Sequence, residues 1–252
     1  NRDPHPQLTI DNKKVRLDKL GDYIVTYTCK DRSGNKIVAK RKVSVVEKKE
    51  IGVYAQTEEK VIYLTFDDGP SKNTKRILDI LDKYHAKATF FVTGTNQNYN
   101  YLIKEAYQRG HTIGLHTYSH DYKTVYTSVT AYFNDLERVG NMVKNEIGFI
   151  PKYIRFPGGA SNTISRKYCP GIMSILANEV IDRGYQFYDW NYGTGDAGGN
   201  NIPVNQIIAT ATAGNANNQV ILAHDTDAKN TTVDALPAII EHYQALGYSF
   251  KS

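Results

Sequence analysis

Cysteine is scarce: Cys29 and Cys169 are the only two among 252 residues, and they lie in different segments of the chain. Neither sits in a metal-type Cys spacing and no bridge between them is expected, which excludes a disulfide scaffold or a thiolate metal cluster. Long apolar runs are missing as well, since none approaches the roughly 20 residues that a membrane helix needs. No dense basic block with interleaved aromatics occurs, so nucleic acid is not expected as a partner. The net charge of +5 is a mild excess over both halves, which suits an anionic polymer or a plain solvated exterior. Low-complexity tracts and solenoid repeats are absent too. The first residue, Asn1, is compatible with a leader having been removed, so the N-terminus does not report localisation. Tryptophan occurs once against nineteen tyrosines, a bias that fits either stacking on sugar rings or tyrosine-rich β-structure. What is present is ordinary for a globular protein, with 40% apolar and 23% charged residues in a length that allows one large domain or two unequal ones.

Two grammars divide the chain. Residues 1–47 read as β-structure: Tyr23, Val25, Tyr27 and Cys29 alternate with Ile24, Thr26 and Thr28, a turn follows at 31–35, and a second alternating run covers 36–46. Two or three strands in so short a segment give a thin core, marginal by itself. Residues 48–59 are charged and irregular, and read as a linker. From residue 60 strand and helix patterns alternate. Strands are expected at 61–66, 88–93, 112–116, 153–156, 186–190, 219–224 and 248–250. Helices are expected at 74–84 (capped by Asn73), 101–109, 128–146, 172–183, 205–213 and 233–246. Seven strands alternating with helices predict an α/β fold with a parallel sheet, open or closed into a barrel.

The polar residues that stand out gather at the C-terminal ends of the expected strands. Asp67 and Asp68 follow the first, His116 and His120 the third, Arg155 lies in the fourth, Asp196 comes after the fifth, and His224-Asp225 ends the sixth. That is the face on which α/β barrels build active sites. Taken singly, each has a plain reading: Asp-Asp-Gly-Pro is a good turn, paired histidines at i, i+4 arise by accident, and Arg155 or His224 could be packing residues. Taken together, one carboxylate and two imidazoles suffice to hold zinc with an open position. A second carboxylate, a further histidine and an arginine add an acid, a base and an orienting group.

TFDDGP at 65–70, HTYSH at 116–120, RFPGG at 155–159 and ILAHD at 221–225 resemble, in order and spacing, four of the five motifs of NodB-homology polysaccharide deacetylases, carbohydrate esterase family 4. The resemblance implies a distorted (β/α)7 barrel. It further implies one divalent metal on Asp68, His116 and His120, zinc in the first place, with cobalt, nickel or manganese as alternatives. It makes Asp67 the general base, held by Arg155, and His224 the general acid. The Gly158 N–H would help bind the oxyanion, and Leu222 would line the acetyl pocket. The fifth motif, usually Asp-x-x-Asp-Trp, departs from the pattern. Aligned on Gly193-Thr194-Gly195-Asp196-Ala197 it keeps the second acid as Asp196, the expected partner of His224, but loses the first acid and the tryptophan. Asp189-Trp190 is the rival match, expected to be a mere strand end. Tyr192 is a candidate to fill the space left by the missing indole.

The string GDYIVTYTCKDRSGNKIVAKRKVSV, residues 21–45, resembles the last strands of bacterial Ig-like modules, of which about the second half is expected here. Such a module implies an exported protein, extracellular or at the wall of a Gram-positive bacterium. The implied reaction is removal of N-acetyl groups from a GlcNAc-containing polysaccharide, peptidoglycan first, by a monomer with no transmembrane segment. Chitooligosaccharide deacetylation and acetylxylan O-deacetylation stay open within the same chemistry. A catalytically dead carbohydrate-binding or adhesive module is the alternative of another class.

Overall fold

The alternating run near the N-terminus becomes the middle strand of an antiparallel sheet, with β1 (Gln7–Asp11), β2 (Gly21–Lys30) and β3 (Lys36–Val45) in the order β1-β2-β3. This computed structural model describes residues 6–45 and 58–252, and the chain divides into two compact units, Asn1–Glu50 and Ile51–Ser252. The linker expected at 48–59 lies almost wholly outside the described residues. In the first unit the β2–β3 turn forms where Asp, Ser, Gly and Asn cluster. Asp31 Oδ1 accepts the Asn35 N–H at 2.8 Å, and Gly34 takes the positive φ of 88° that the turn requires. Alternation makes Val25 the buried residue of this sheet among the described residues, while Leu8, Ile10 and Ile37 are exposed. The core of this unit is as thin as its length predicts.

The second unit follows the strand–helix alternation. Its elements are β4 (Val61–Asp67), α1 (Thr74–Lys83), β5 (Ala88–Thr93), α2 (Tyr101–Gln108), β6 (Thr112–Thr117), α3 (Tyr122–Val125) and α4 (Val129–Ile147). Then come β7 (Tyr153–Ile154), α5 (Ile172–Asp182), β8 (Gln186–Phe187), β9 (Tyr192–Gly193), α6 (Val204–Ala211), β10 (Asn218–His224), α7 (Asn230–Ala245) and β11 (Ser249–Phe250). All inter-strand pairs in this unit are parallel, in the order β8-β7-β6-β5-β4-β10-β9. The sheet is a curled, distorted barrel of the (β/α)7 type, and among the described residues no ladder joins β8 to β9.

Central strands buried on both faces should read as unbroken apolar runs, and they do: all six residues of β5 are buried. Ile77, Leu78 and Leu81 of α1 pack into the core with no exposure, and each contributes about 1.5–3 kcal/mol by burial. Helix α4 starts where Ser128 Oγ accepts the Ala131 N–H at 3.0 Å and ends at Gly148 with φ 89°.

Three details differ from expectation. The two-residue strand β9 and the single-turn α3 were too short to announce themselves by periodicity. The strands expected at 153–156 and 186–190 shorten to Tyr153–Ile154 and Gln186–Phe187, while the last strand, β11, pairs with β4 at Val61 and Ile62. Asn73 does not cap α1 with its side chain. Its amide is drawn instead to the Thr226 carbonyl at 2.9 Å, while Ser71 Oγ accepts the Asn73 N–H at 3.0 Å. The loop before α1 is thus shaped by its contacts with the segment after β10.

Candidate active site

Parallel strands that end together bring their following residues together, so the sheet gathers Asp67, Asp68, His116, His120, Arg155 and His224 at one mouth. Register alone places His224 beside Asp67. At β6 the ladder slips: Leu115 pairs with Val92 and Thr117 with Thr93, so His116 is the extra residue of a bulge. A bulge re-aims its side chain, and the chain around it is strained further. Asp68 (φ 73°), Thr117 (φ 110°) and His120 (φ 48°) all hold the left-handed region that non-glycine residues avoid. Strain of this kind costs on the order of 1–3 kcal/mol per residue and collects at functional sites.

Asp68, His116 and His120 form a group whose ligating atoms all lie within 4.8 Å of one another. His116 Nε2 stands 3.6 Å and His120 Nε2 3.3 Å from Asp68 Oδ1. That oxygen is buried and has no hydrogen-bond partner among the described residues, an arrangement expensive to leave unmade unless a ligand completes it. His116 Nδ1 lies 2.8 Å from the Arg155 carbonyl and must donate to it, which leaves the Nε2 lone pair turned toward Asp68. Burial pulls His116 down to about 3, so it is a neutral imidazole, the form able to ligate a cation. The residues therefore fit a divalent metal by donor type, spacing and protonation state.

Asp67 is held differently. The Arg155 guanidinium, fully buried, reaches Asp67 Oδ1 at 2.8 Å and Thr65 Oγ1 at 2.7 Å, and donates to the Tyr188 and Asp189 carbonyls at 3.0 and 3.1 Å. Asp67 Oδ2 is left facing His116 Nε2 at 3.6 Å. Burial pushes the Asp67 carboxyl above the ordinary carboxylate range, against the opposing pull of Arg155, His224 and His120.

The rival alignments of the fifth motif separate cleanly in space. Asp196 Oδ1 lies 2.8 Å from His224 Nδ1, while Oδ2 accepts the His224 N–H at 2.9 Å and the Thr232 hydroxyl at 3.0 Å. Burial alone would lower His224; the bond and charge of Asp196 outweigh it and raise the imidazole above its usual value of 6.5. Burial works upward on Asp196, but its bonds to His224 carry it below the usual carboxylate range. Asp189, in contrast, turns its carboxylate to the Ala160 N–H at 2.9 and 3.1 Å. It braces the loop after Arg155, a more specific task than that of a strand end.

Leu222 is buried beside Gly193, its ladder partner, where a Cβ would stand 3.9 Å from that of Leu222. Tyr192 is not brought to the site. Its ring packs toward the loop before β10, where a Cβ on Gly214 would meet Cε1 at 2.8 Å. Strand alternation explains this, because Tyr192 pairs with Ile221 and faces away from the side that Leu222 takes. Ala197 is exposed and offers only a methyl group at the position where the resemblance expects an indole. Asp225 is buried beneath the Asp67–Pro70 loop, with Ser71 Oγ donating to it at 2.6 Å. A Cβ on Gly69 would come within 2.5 Å of Asp225 Oδ2, which is why the turn needs glycine there.

Several supporting residues escaped the motif reading. Asp135 of α4 accepts the Tyr118 and Ser119 N–H groups at 2.6 and 3.1 Å, fixing the loop between the two histidines. A carboxylate among Tyr132, Leu136 and Val139 on the apolar face of a helix was a signal available in the sequence. Lys229 Nζ clamps the Asp196 and Gly199 carbonyls at 2.6 and 2.8 Å, and no pattern announced it. An open pocket of about 390 Å³ adjoins Asp68 and His120, bounded by Thr93, Asn96, Thr226 and Asp227.

Residues 54–169 match the family described as Polysaccharide deacetylase. A peptidoglycan-N-acetylglucosamine deacetylase of Bacillus cereus is 34% identical over 201 residues, covering 77% of this chain and 70% of that protein. A bifunctional xylanase/deacetylase of Pseudobutyrivibrio xylanivorans is 33% identical over 196 residues, 76% of this chain but 29% of its own length. Among solved structures, the catalytic domain of a peptidoglycan N-acetylglucosamine deacetylase from Eubacterium rectale is 46% identical. It superposes with a TM-score of 0.75 and covers 80% of this chain and 91% of its own. The motifs, the curled parallel sheet and these identities agree, and the chain belongs to the polysaccharide deacetylase family.

Proposed function

We propose that the protein removes N-acetyl groups from a GlcNAc-containing cell-wall polysaccharide, peptidoglycan in the first place, with a divalent metal, zinc, on Asp68, His116 and His120. The observation that carries this reading is the pairing, beside the triad, of two anchored groups that are both shifted upward, the buried Asp67 carboxylate and the partly buried His224 imidazole. Asp67 is anchored by Arg155 at 2.8 Å and raised by burial, which makes it a stronger base than an exposed carboxylate. His224 is anchored by Asp196 at 2.8 Å and raised toward its cationic, acid form. Titratable groups with environments tuned in this way mark an acid and base pair.

An amide is a poor electrophile and neutral water a poor nucleophile. A divalent cation in this triad supplies Lewis-acid polarisation of a carbonyl and lowers the pKa of water to about 7. Asp67 Oδ2, the oxygen that Arg155 leaves free, takes the proton of the attacking water. His224 Nε2 delivers a proton to the departing nitrogen as the C–N bond breaks, giving acetate and an amine. Each transfer is worth about 10²–10⁴ in rate. The Gly158 N–H receives part of the charge that develops on the acyl oxygen, and Leu222 lines the acetyl pocket.

The antiparallel sheet of β1, β2 and β3, with one alternating apolar side, supports the reading of residues 1–47 as part of a bacterial Ig-like module. Such a module suits an extracellular or wall-associated protein of a Gram-positive bacterium. The Pseudobutyrivibrio relative keeps O-deacetylation of xylan as a second reading. Acetate release measured side by side on peptidoglycan, chitooligosaccharide and acetylxylan tests the proposal. Release from the amino-sugar polymers supports it, release from acetylxylan alone moves the substrate to an ester, and none from any polymer leaves a binding module.

A further inference from the structure

The loop that follows Arg155 offers three consecutive N–H groups after Pro157, and two of them are already committed. Gly159 donates to the Phe156 carbonyl at 2.8 Å, and Ala160 donates to the Asp189 carboxylate. Gly158 alone donates to nothing among the described residues. Oxyanion holes gain by presenting more than one donor to the oxygen on which charge develops, and this backbone supplies a single one.

A second donor stands over Gly158. With φ 76° the residue turns its missing side chain toward Tyr122, and a Cβ there would meet Tyr122 Oη at 2.9 Å and Cε1 at 3.3 Å. The Tyr122 ring is fixed on both sides. It packs edge-on against His120 with centroids 5.8 Å apart. Its other neighbour is Tyr126, also at 5.8 Å, whose hydroxyl is tied to the Pro157 carbonyl at 2.8 Å. The Tyr122 hydroxyl, by contrast, has no hydrogen-bond partner among the described residues. Asn162, the other polar side chain against Gly158, is committed to the Gly159 carbonyl and the Ser165 N–H. The ring thus lies against a candidate metal ligand, His120, while its hydroxyl stands against the Cα of Gly158, the residue with the one N–H of the three left free among the described residues.

We propose that the Tyr122 hydroxyl is a catalytic hydrogen-bond donor that shares the developing oxyanion with the Gly158 N–H; the proposal rests on the deacetylase reading. A phenol keeps its proton at neutral pH and donates without changing charge. Glycine at 158 is then explained twice over, by its backbone conformation and by the room the hydroxyl needs.

Tyr122→Phe removes the donor and keeps the ring that packs on His120. Because the bond strengthens only as charge develops, kcat for acetate release should fall by about 10- to 100-fold, with KM, bound metal and melting temperature unchanged. An active wild type matched in kcat by Tyr122→Phe overturns the proposal. So does a raised KM at constant kcat, which would make the hydroxyl a ground-state sugar contact, and so does loss of metal, which would make the residue a support for His120. A wild type that releases acetate from no acetylated polymer removes the parent reading and the proposal together.

Discussion

Asp196→Asn changes one atom and inverts the hydrogen bonding around His224. In the native site Oδ2 receives two donors, the His224 N–H and the Thr232 hydroxyl, while Oδ1 receives the ring at Nδ1. An asparagine has one oxygen, and keeping both donors satisfied turns its amide NH₂ toward Nδ1. That nitrogen must then accept, and an imidazolium with protons on both nitrogens has no place in the site. A charge-assisted hydrogen bond contributes about 1.5–3 kcal/mol, and Asp196 is only 2% exposed. At about 1.36 kcal/mol per factor of ten, kcat should fall roughly 10- to 100-fold. The sign of the pH effect follows from the same bond. Asp196 raises His224 above 6.5, so the acid form survives to higher pH and activity is lost as pH rises through the raised value. Without the carboxylate, the alkaline limb of kcat/KM should move to lower pH. Acetate release from chitooligosaccharide across the pH range measures this. Asp189→Asn should leave the limb in place, since its remaining oxygen can still hold the Ala160 N–H. An alkaline limb unmoved in Asp196→Asn but displaced in Asp189→Asn would refute the assignment.

Asp68→Ala should abolish both metal binding and activity, because two neutral imidazoles alone bind zinc weakly; metal content after gel filtration checks it. Asp67→Asn should retain metal while kcat falls about 10²–10⁴, and the reverse pattern between Asp67→Asn and Asp68→Asn would exchange the two roles. Asp135→Ala frees the Tyr118 and Ser119 N–H groups and should weaken metal affinity about 10- to 100-fold, read by competition with a chelating dye. With alanine at 197 where the resemblance expects a tryptophan, the wild type should accept N-propionyl substrates. Ala197→Trp should restore a preference for N-acetyl, and equal selectivity in both proteins would count against an open pocket.

Strong periodicity carried most of the architecture. The β5 run and the Ile77, Leu78, Leu81 spacing are unambiguous because burial on both faces or on one stripe leaves few other patterns. Elements of two to four residues, β9 and α3, carry no period to detect. The polar residues at strand ends were legible because a parallel sheet forces consecutive strands to terminate on one face. The sequence favours Asp196 because Asp189 falls within the strand expected at 186–190 and lacks a preceding acid, although β8 in fact ends at Phe187; the contact with His224 is what separates the two. Tyr192 was misplaced because strand alternation at a two-residue strand cannot be read from sequence. Asp135 and Lys229 act across long sequence separations on backbone groups, and such contacts leave almost no local trace. Tyr122 sat unnoticed two residues after His120, its significance set by the shape of a distant glycine loop.

Central to the proposed reaction is a cation held by Asp68, His116 and His120, on which amide hydrolysis depends. Protein stripped with chelator and dialysed should release no acetate from peptidoglycan or chitooligosaccharide. One equivalent of zinc should restore release in the wild type and fail to do so in Asp68→Ala. Full activity in a rigorously metal-free sample would contradict the account.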